Sequence, residues 1–228
     1  MSDPQQNSQT WQHKMDTESP AVGALYRELL KRESLSASGP ALAQAYLALA
    51  RMYEAGGTLY ICGNGGSMAD AIHISGELLK SFVRTRPLSA EVKQRLLVEP
   101  DGAALAASLQ SGLRAYVLGL NPALLSAVSN DLPLPGIGYA QELLALARPG
   151  DVLLGISTSG KAKNVHLALS VARALKMTTI GLTGAPPNPL ADRVDISIAV
   201  PERETYRTQE LHEALYHQLC LMLEARFF

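Results

Sequence analysis

The chain has 228 residues, of which 47% are hydrophobic and 18% charged, with a formal net charge of −1. That length fits one large domain or two small ones and buries a core without staples. The balance excludes a disordered chain and leaves no surplus charge for gripping nucleic acid or an anionic membrane, so neither is expected as a partner. Cys62 and Cys220 are too few for a disulfide framework and too far apart for a metal knuckle, which points to a reducing cytoplasm.

Residues 1–20 are polar, lack the apolar stretch of a secretory signal and read as a flexible N-terminal tail anchored only by Trp11. No window approaches the roughly 18 apolar residues of a membrane span. Residues 21–228 read as a single domain. From Ala21 to about Gly57 the apolar spacing is helical, with Leu25, Leu29 and Leu30 in one stripe and Leu42, Tyr46, Leu49 and Met52 in another, broken at Ser36–Pro40. Five short apolar runs follow, at Thr58–Cys62, Ala115–Leu118, Val152–Ile156, Thr178–Leu182 and Ile196–Val200. Most do not alternate, as strands buried on both faces should not. Helical segments such as Asn164–Leu175 separate most of them, and a long helix from Thr205 to Phe228 closes the chain. The expected fold is α/β: a three-layer sandwich with a parallel sheet of about five strands, N-terminal helices and a long C-terminal helix. Residues 87–113 read as a helical insertion of two short helices broken at Glu99–Gly102.

Ligands of an open parallel sheet bind beyond the carboxyl ends of its strands. Two of those ends suit an anion. The first strand leads into Gly63-Asn64-Gly65-Gly66-Ser67 and the third into Ser157-Thr158-Ser159-Gly160, each followed by a helix with free N–H groups; Lys161 or Lys163 could add charge. Gly and Ser are also ordinary turn residues. The spacing fits neither a P-loop nor a dinucleotide fingerprint, so a small sugar phosphate suits the site better than a nucleotide.

On the next helix, His73 and Glu77 are four residues apart and share a face, where they could hold a divalent metal, act together in proton transfer or form an ordinary surface pair. The terminal helix carries Gln209, Glu210, His212, Glu213 and His217. Gln209 and His217 are separated by about 12 Å of rise and about 80° of rotation, so one metal takes both only with extended side chains, or else they serve different sites contributed by different subunits. His212 and Glu213 read as residues of a solvated face or an interface. Cys62 and Cys220 read as small buried hydrophobes.

Cys62–Ser67 with Asp70, His73 and Glu77 resembles the opening of the sugar isomerase (SIS) domain of phosphoheptose isomerases. The resemblance continues through Ser129-Asn130-Asp131, Gly150–Gly160 and Gly181–Gly184, and ends with Gln209-Glu210-Leu211-His212 and His217. It implies the SIS fold and an aldose–ketose isomerase that interconverts sedoheptulose 7-phosphate and D-glycero-D-manno-heptose 7-phosphate through an enediol. By the same resemblance Glu77 and His217 are the acid/base pair, and His73, Glu77, Gln209 and His217 hold one zinc ion per active site. Ser67, Ser157, Thr158 and Ser159 match the phosphate-binding positions, and Asn64 lies beside the substrate; Gly65, Gly66, Lys161 and Gln209 complete the expected substrate-binding set. A homotetramer with active sites between subunits is implied. The chain departs from the family at Lys161-Ala162, where Asn-Ser is common, and at Ser81, Asn121 and Tyr206, which replace an arginine and two aspartates. These departures bear on the sugar more than on the reaction type. The rival readings are an isomerase of another phosphosugar and a non-catalytic SIS protein in a regulatory role. Relatives of the latter kind lose the terminal-helix histidine, and His217 is present here.

Overall fold

The computed structural model describes the backbone of residues 4–228 and the side chains of residues 9–228. Chain order is α1 (Pro4–Glu18), α2 (Pro20–Leu30), α3 (Glu33–Ser36), α4 (Gly39–Glu54), β1 (Leu59–Cys62), α5 (Gly66–Leu79), α6 (Ala90–Leu97), α7 (Gly102–Ser108), β2 (Ala115–Val117), α8 (Pro122–Asp131), α9 (Gly138–Leu146), β3 (Val152–Ser157), α10 (Lys163–Ala174), β4 (Thr178–Thr183), a 3-10 turn at Ala191–Arg193, β5 (Ile196–Ala199) and α11 (Thr205–Phe227). Every strand pairing is parallel, in the order β2-β1-β3-β4-β5. The central β1 and β3 are buried along their whole length, whereas the edge strands β2 and β5 are only partly covered.

Because successive side chains of a strand point to opposite faces, β1 divides its residues between two cores. Leu59 and Ile61 join Val22, Tyr26, Leu42, Leu49, Ile74 and Leu215 in the layer built by α1, α2, α4, α5 and α11. Tyr60 and Cys62 join Tyr139, Leu143, Val165 and Leu169 in the layer built by α9 and α10. The result is the three-layer α/β sandwich the sequence predicts.

The N-terminal segment differs from the expected flexible tail. Residues 1–3 lie outside the described residues, but Pro4–Glu18 is helical and packs on α2. Met15 is fully buried in the core and Trp11 packs against it. Ser19 turns the chain, its hydroxyl accepting the Val22 N–H at 3.1 Å, and Pro20 occupies the first turn of α2. Arg27 donates to Asp16 at 2.6 Å, and the Gln12 amide donates to the Gly23 carbonyl at 3.1 Å. The helix is nearly all polar, and its single buried methionine is too little apolar signal for periodicity to detect.

The insertion forms the two expected helices, α6 and α7, with Ser89 capping α6 through the Val92 N–H at 3.2 Å. Its root is fixed by a fully buried ion pair. Arg86 Nε donates to Glu224 at 2.8 Å, while its other nitrogens donate to the Leu78 and Glu77 carbonyls at 2.7 and 2.8 Å. Glu224 also accepts the N–H groups of Phe82, Val83 and Arg84. Burial works to raise the Glu224 carboxyl, but those N–H groups and the guanidinium together hold it below its ordinary value.

Candidate active site

β1 connects onward to β2 on one side of it, and β3 connects to β4 on the other. The carboxyl ends of β1 and β3 therefore flank a topological switch point, where an open α/β sheet leaves a crevice. A cavity of about 330 Å³ lies there, lined by Asn64, Ser67, Ser157, Thr158, Ser159 and Lys161 with Ile156 and Ala162. Six of the predicted substrate-binding residues thus meet in one place. Ser67 and Ser157 are buried, while Asn64, Ser159 and Lys161 are exposed. Gly65 caps α5 at φ 55°, a conformation that any side chain would strain. Gly66 follows without a side chain because the Gln209 amide occupies the space where its Cβ would stand.

Sequence reasoning missed two residues that bond to the glycine loop beside this cavity. Asn64 and Asn164 exchange amide hydrogen bonds of 2.9 and 2.8 Å, joining the two loops across the crevice. The Tyr139 hydroxyl donates to the Gly63 carbonyl at 2.7 Å and lies 3.2 Å from Asn64 Oδ1. Asn164 stands in the first turn of α10, close to the serine loop in sequence, and could have been noticed. Tyr139 is 75 residues from Asn64 and carries no local signal.

Along α5, Gly66, Asp70, His73 and Glu77 recur at helical spacing and form one stripe. α11 runs beside it in the same direction, placing Gln209 against Gly66 and Tyr216 and His217 against His73. His73 Nε2 lies 3.2 Å from Glu77 Oε1 and 3.4 Å from His217 Nε2, and His73 Nδ1 is 2.9 Å from the Tyr216 hydroxyl. Ligating atoms of His73, Glu213 and His217 all fall within 4.8 Å of one another. Burial, and then the nearby His73, lower the proton affinity of His217. Burial, and then Glu213, push the Asp70 carboxyl up to about 6.

The structure therefore gathers His73, Glu77 and His217, as expected, and adds Glu213. Gln209 stands apart in a single chain: it packs against Gly66 in the first turn of α5, two helical turns from His217. Two imidazoles with adjacent carboxylates form an N/O donor set that zinc accepts. His212 departs from the expected solvated face or interface. It is completely buried at the sheet side of α11, and burial lowers its pKa to about 4, against the opposing pull of the Thr183 carbonyl. Glu213 is exposed as expected, yet it points into the cluster.

The SIS domain family matches residues 135–225. The phosphoheptose isomerase of Crocosphaera subtropica is 39% identical over 180 residues, which is 79% of each chain. That of Geotalea daltonii is 39% identical over 189 residues, or 83% of this chain and 85% of the relative. Among solved structures, the phosphoheptose isomerase of Neisseria gonorrhoeae superposes with a TM-score of 0.67 at 29% identity, covering 90% of this chain and 97% of that one. The one from Francisella tularensis superposes with a TM-score of 0.66 at 30% identity, covering 82% and 86%.

Proposed function

The chain belongs to the phosphoheptose isomerase family, and on that premise we propose that it interconverts sedoheptulose 7-phosphate and D-glycero-D-manno-heptose 7-phosphate through an enediol. It is a phosphosugar isomerase. The observation that carries the specific reading is that one stripe of α5 links a hydroxyl-rich cavity at its first turn to a His–carboxylate cluster near its end. On this reading the phosphate binds at one end of the stripe and the reacting carbonyl at the other.

In this mechanism the hydroxyls of Ser67 and Ser157–Ser159, with Lys161 and the N–H groups of the serine loop, bind the phosphate. Asn64, Gly65, Gly66 and Gln209 line the passage for the sugar chain. Glu77 takes the carbon-bound proton from C1 of the ketose and returns it at C2. His217, whose burial keeps it neutral near pH 7, passes a proton between the two oxygens. Zinc held by His73, Glu77 and His217, with Gln209 as the resemblance implies or Glu213 as the geometry of a single chain offers, would stabilise charge on the enediolate oxygens.

The proposal includes a homotetramer with active sites between subunits. It is supported by Ile72, Leu79 and Val83, apolar residues on α5 and the segment after it that are 46%, 53% and 66% exposed in a single chain. It also places the protein in the cytoplasm, consistent with the free thiols of Cys62 and Cys220. Among the described residues no helix is long and apolar enough to cross a membrane.

The test is turnover of sedoheptulose 7-phosphate followed by phosphorus NMR, with and without zinc, on protein whose assembly mass is read by sedimentation equilibrium. Glu77→Gln and His217→Ala are each expected to lower kcat by about 100-fold or more while the fold is kept. A folded, zinc-loaded wild type that leaves the sugar unchanged would overturn the heptose assignment.

A further inference from the structure

The serine loop at the end of β3 is held from outside the cavity by side chains that the reaction does not use. His166, in the second turn of α10, brings Nε2 to 2.7 Å from the Gly160 carbonyl oxygen and Nδ1 to 3.1 Å from Arg193 Nη1. Arg193 Nη2 donates to Ser170 Oγ at 3.2 Å, and Ser170 donates back to the His166 carbonyl at 3.1 Å. The roles in this chain of contacts are forced. A guanidinium only donates and a carbonyl only accepts, so Nδ1 accepts from Arg193 and the proton sits on Nε2, which donates to Gly160.

The direction of that carbonyl decides what faces the cavity. The Gly160–Lys161 peptide is trans, so its C=O and N–H point in opposite directions. With the carbonyl turned to His166, the Lys161 N–H turns toward Ser159 Oγ, at 3.4 Å, and both residues line the cavity. Gly160 sits at φ 66°, where glycine passes readily between conformations. A flip of this peptide would aim a carbonyl oxygen at the bound anion in place of a donor.

We propose that His166, oriented by Arg193, is a positioning residue that locks the Gly160–Lys161 peptide with its N–H toward the substrate phosphate. The proposal rests on the reading of this cavity as the phosphate site. It predicts an effect on binding without one on the chemical step, since neither His166 nor Arg193 lines the cavity or belongs to the His73–Glu213–His217 cluster.

The experiment measures KM and kcat for the sugar phosphate, and the Kd of inorganic phosphate by calorimetry, on the intact protein. His166→Leu is expected to raise both KM and the phosphate Kd about tenfold, the loss of one charge-assisted hydrogen bond, with kcat within about twofold of wild type. His166→Gln, which keeps a donor at similar reach, is expected to restore both, and Arg193→Leu to produce a smaller rise. A Ser157→Ala/Ser159→Ala variant is the control for the cavity itself. If it weakens phosphate binding while His166→Leu does not, the clamp is overturned and the phosphate site stands. If neither variant changes phosphate affinity, the phosphate site is overturned and the clamp with it. A fall in kcat that glutamine does not restore would show a general structural role and also overturn the proposal.

Discussion

His73 has its two ring nitrogens committed in opposite directions, Nε2 toward Glu77 and His217 and Nδ1 toward Tyr216. If Nε2 gives its lone pair to a metal, Nδ1 carries the proton and the phenol oxygen accepts it; if Nε2–H donates to Glu77, the phenol donates instead. A hydroxyl serves either tautomer, and a phenyl ring serves neither. Tyr216→Phe should therefore weaken zinc binding by about 10- to 100-fold, read by competition with a chromogenic chelator, while leaving phosphate affinity unchanged. An unchanged zinc affinity would show that the phenol only fills space. At this scale the sequence was informative where one helix face carried the signal. His73 and Glu77 stood out by spacing alone, and Glu213 and His217 are likewise four residues apart on α11. What spacing could not show was that the α11 pair faces α5, because rotation of one helix about its axis is set by packing on the sheet. His212 was misplaced for the same reason: it is one residue from Glu213, about 100° round the helix, and is buried in the protein.

Glu224 and Arg86 act as an element-scale clamp, holding the chain between α5 and α6 onto the last turns of α11. Both side chains are inaccessible to solvent, so removing one leaves the other buried without its partner. Glu224→Ala should cost about 3–5 kcal/mol of stability, measured by urea denaturation of the metal-free protein. A loss below about 1 kcal/mol would mean that water reaches Arg86 and replaces the carboxylate. The elements themselves were legible in proportion to how purely burial dictated their composition. All five strands and the helices α4, α10 and α11 were readable because a parallel sheet covered on both faces demands continuous apolar runs between amphipathic helices. α1 was not, since its stability comes from Met15, a few side-chain hydrogen bonds and the turn at Ser19. Arg86 carried no local signal of its role, because its partner lies 138 residues away.

Protonation of His212 is a property of the whole fold, because the buried ring can be charged only by opening it. Its folded pKa is about 4, against about 6.5 when unfolded. Between those values the unfolded chain binds a proton that the folded one refuses, so stability falls as pH drops through the window, by up to about 1.4 kcal/mol per pH unit. Asp70, raised to about 6, has the opposite slope over part of this range, which makes the absolute profile uninformative. The comparison of wild type with His212→Phe removes it: on going from pH 7 to pH 5 the variant should gain about 2 kcal/mol relative to wild type in urea denaturation. A constant difference would show that the ring is not held neutral. The position of α11 has a further consequence, which concerns synthesis. The Gln218 amide donates to the Leu25 carbonyl across 193 residues, so α2, although α1 already packs on it, cannot acquire its contact with α11 until that helix has been made. At about 5–20 residues per second that wait is roughly 10–40 s. Throughout it, the apolar faces of the first helices have no finished surface to rest on, and the nascent chain depends on whatever in the cell shields them.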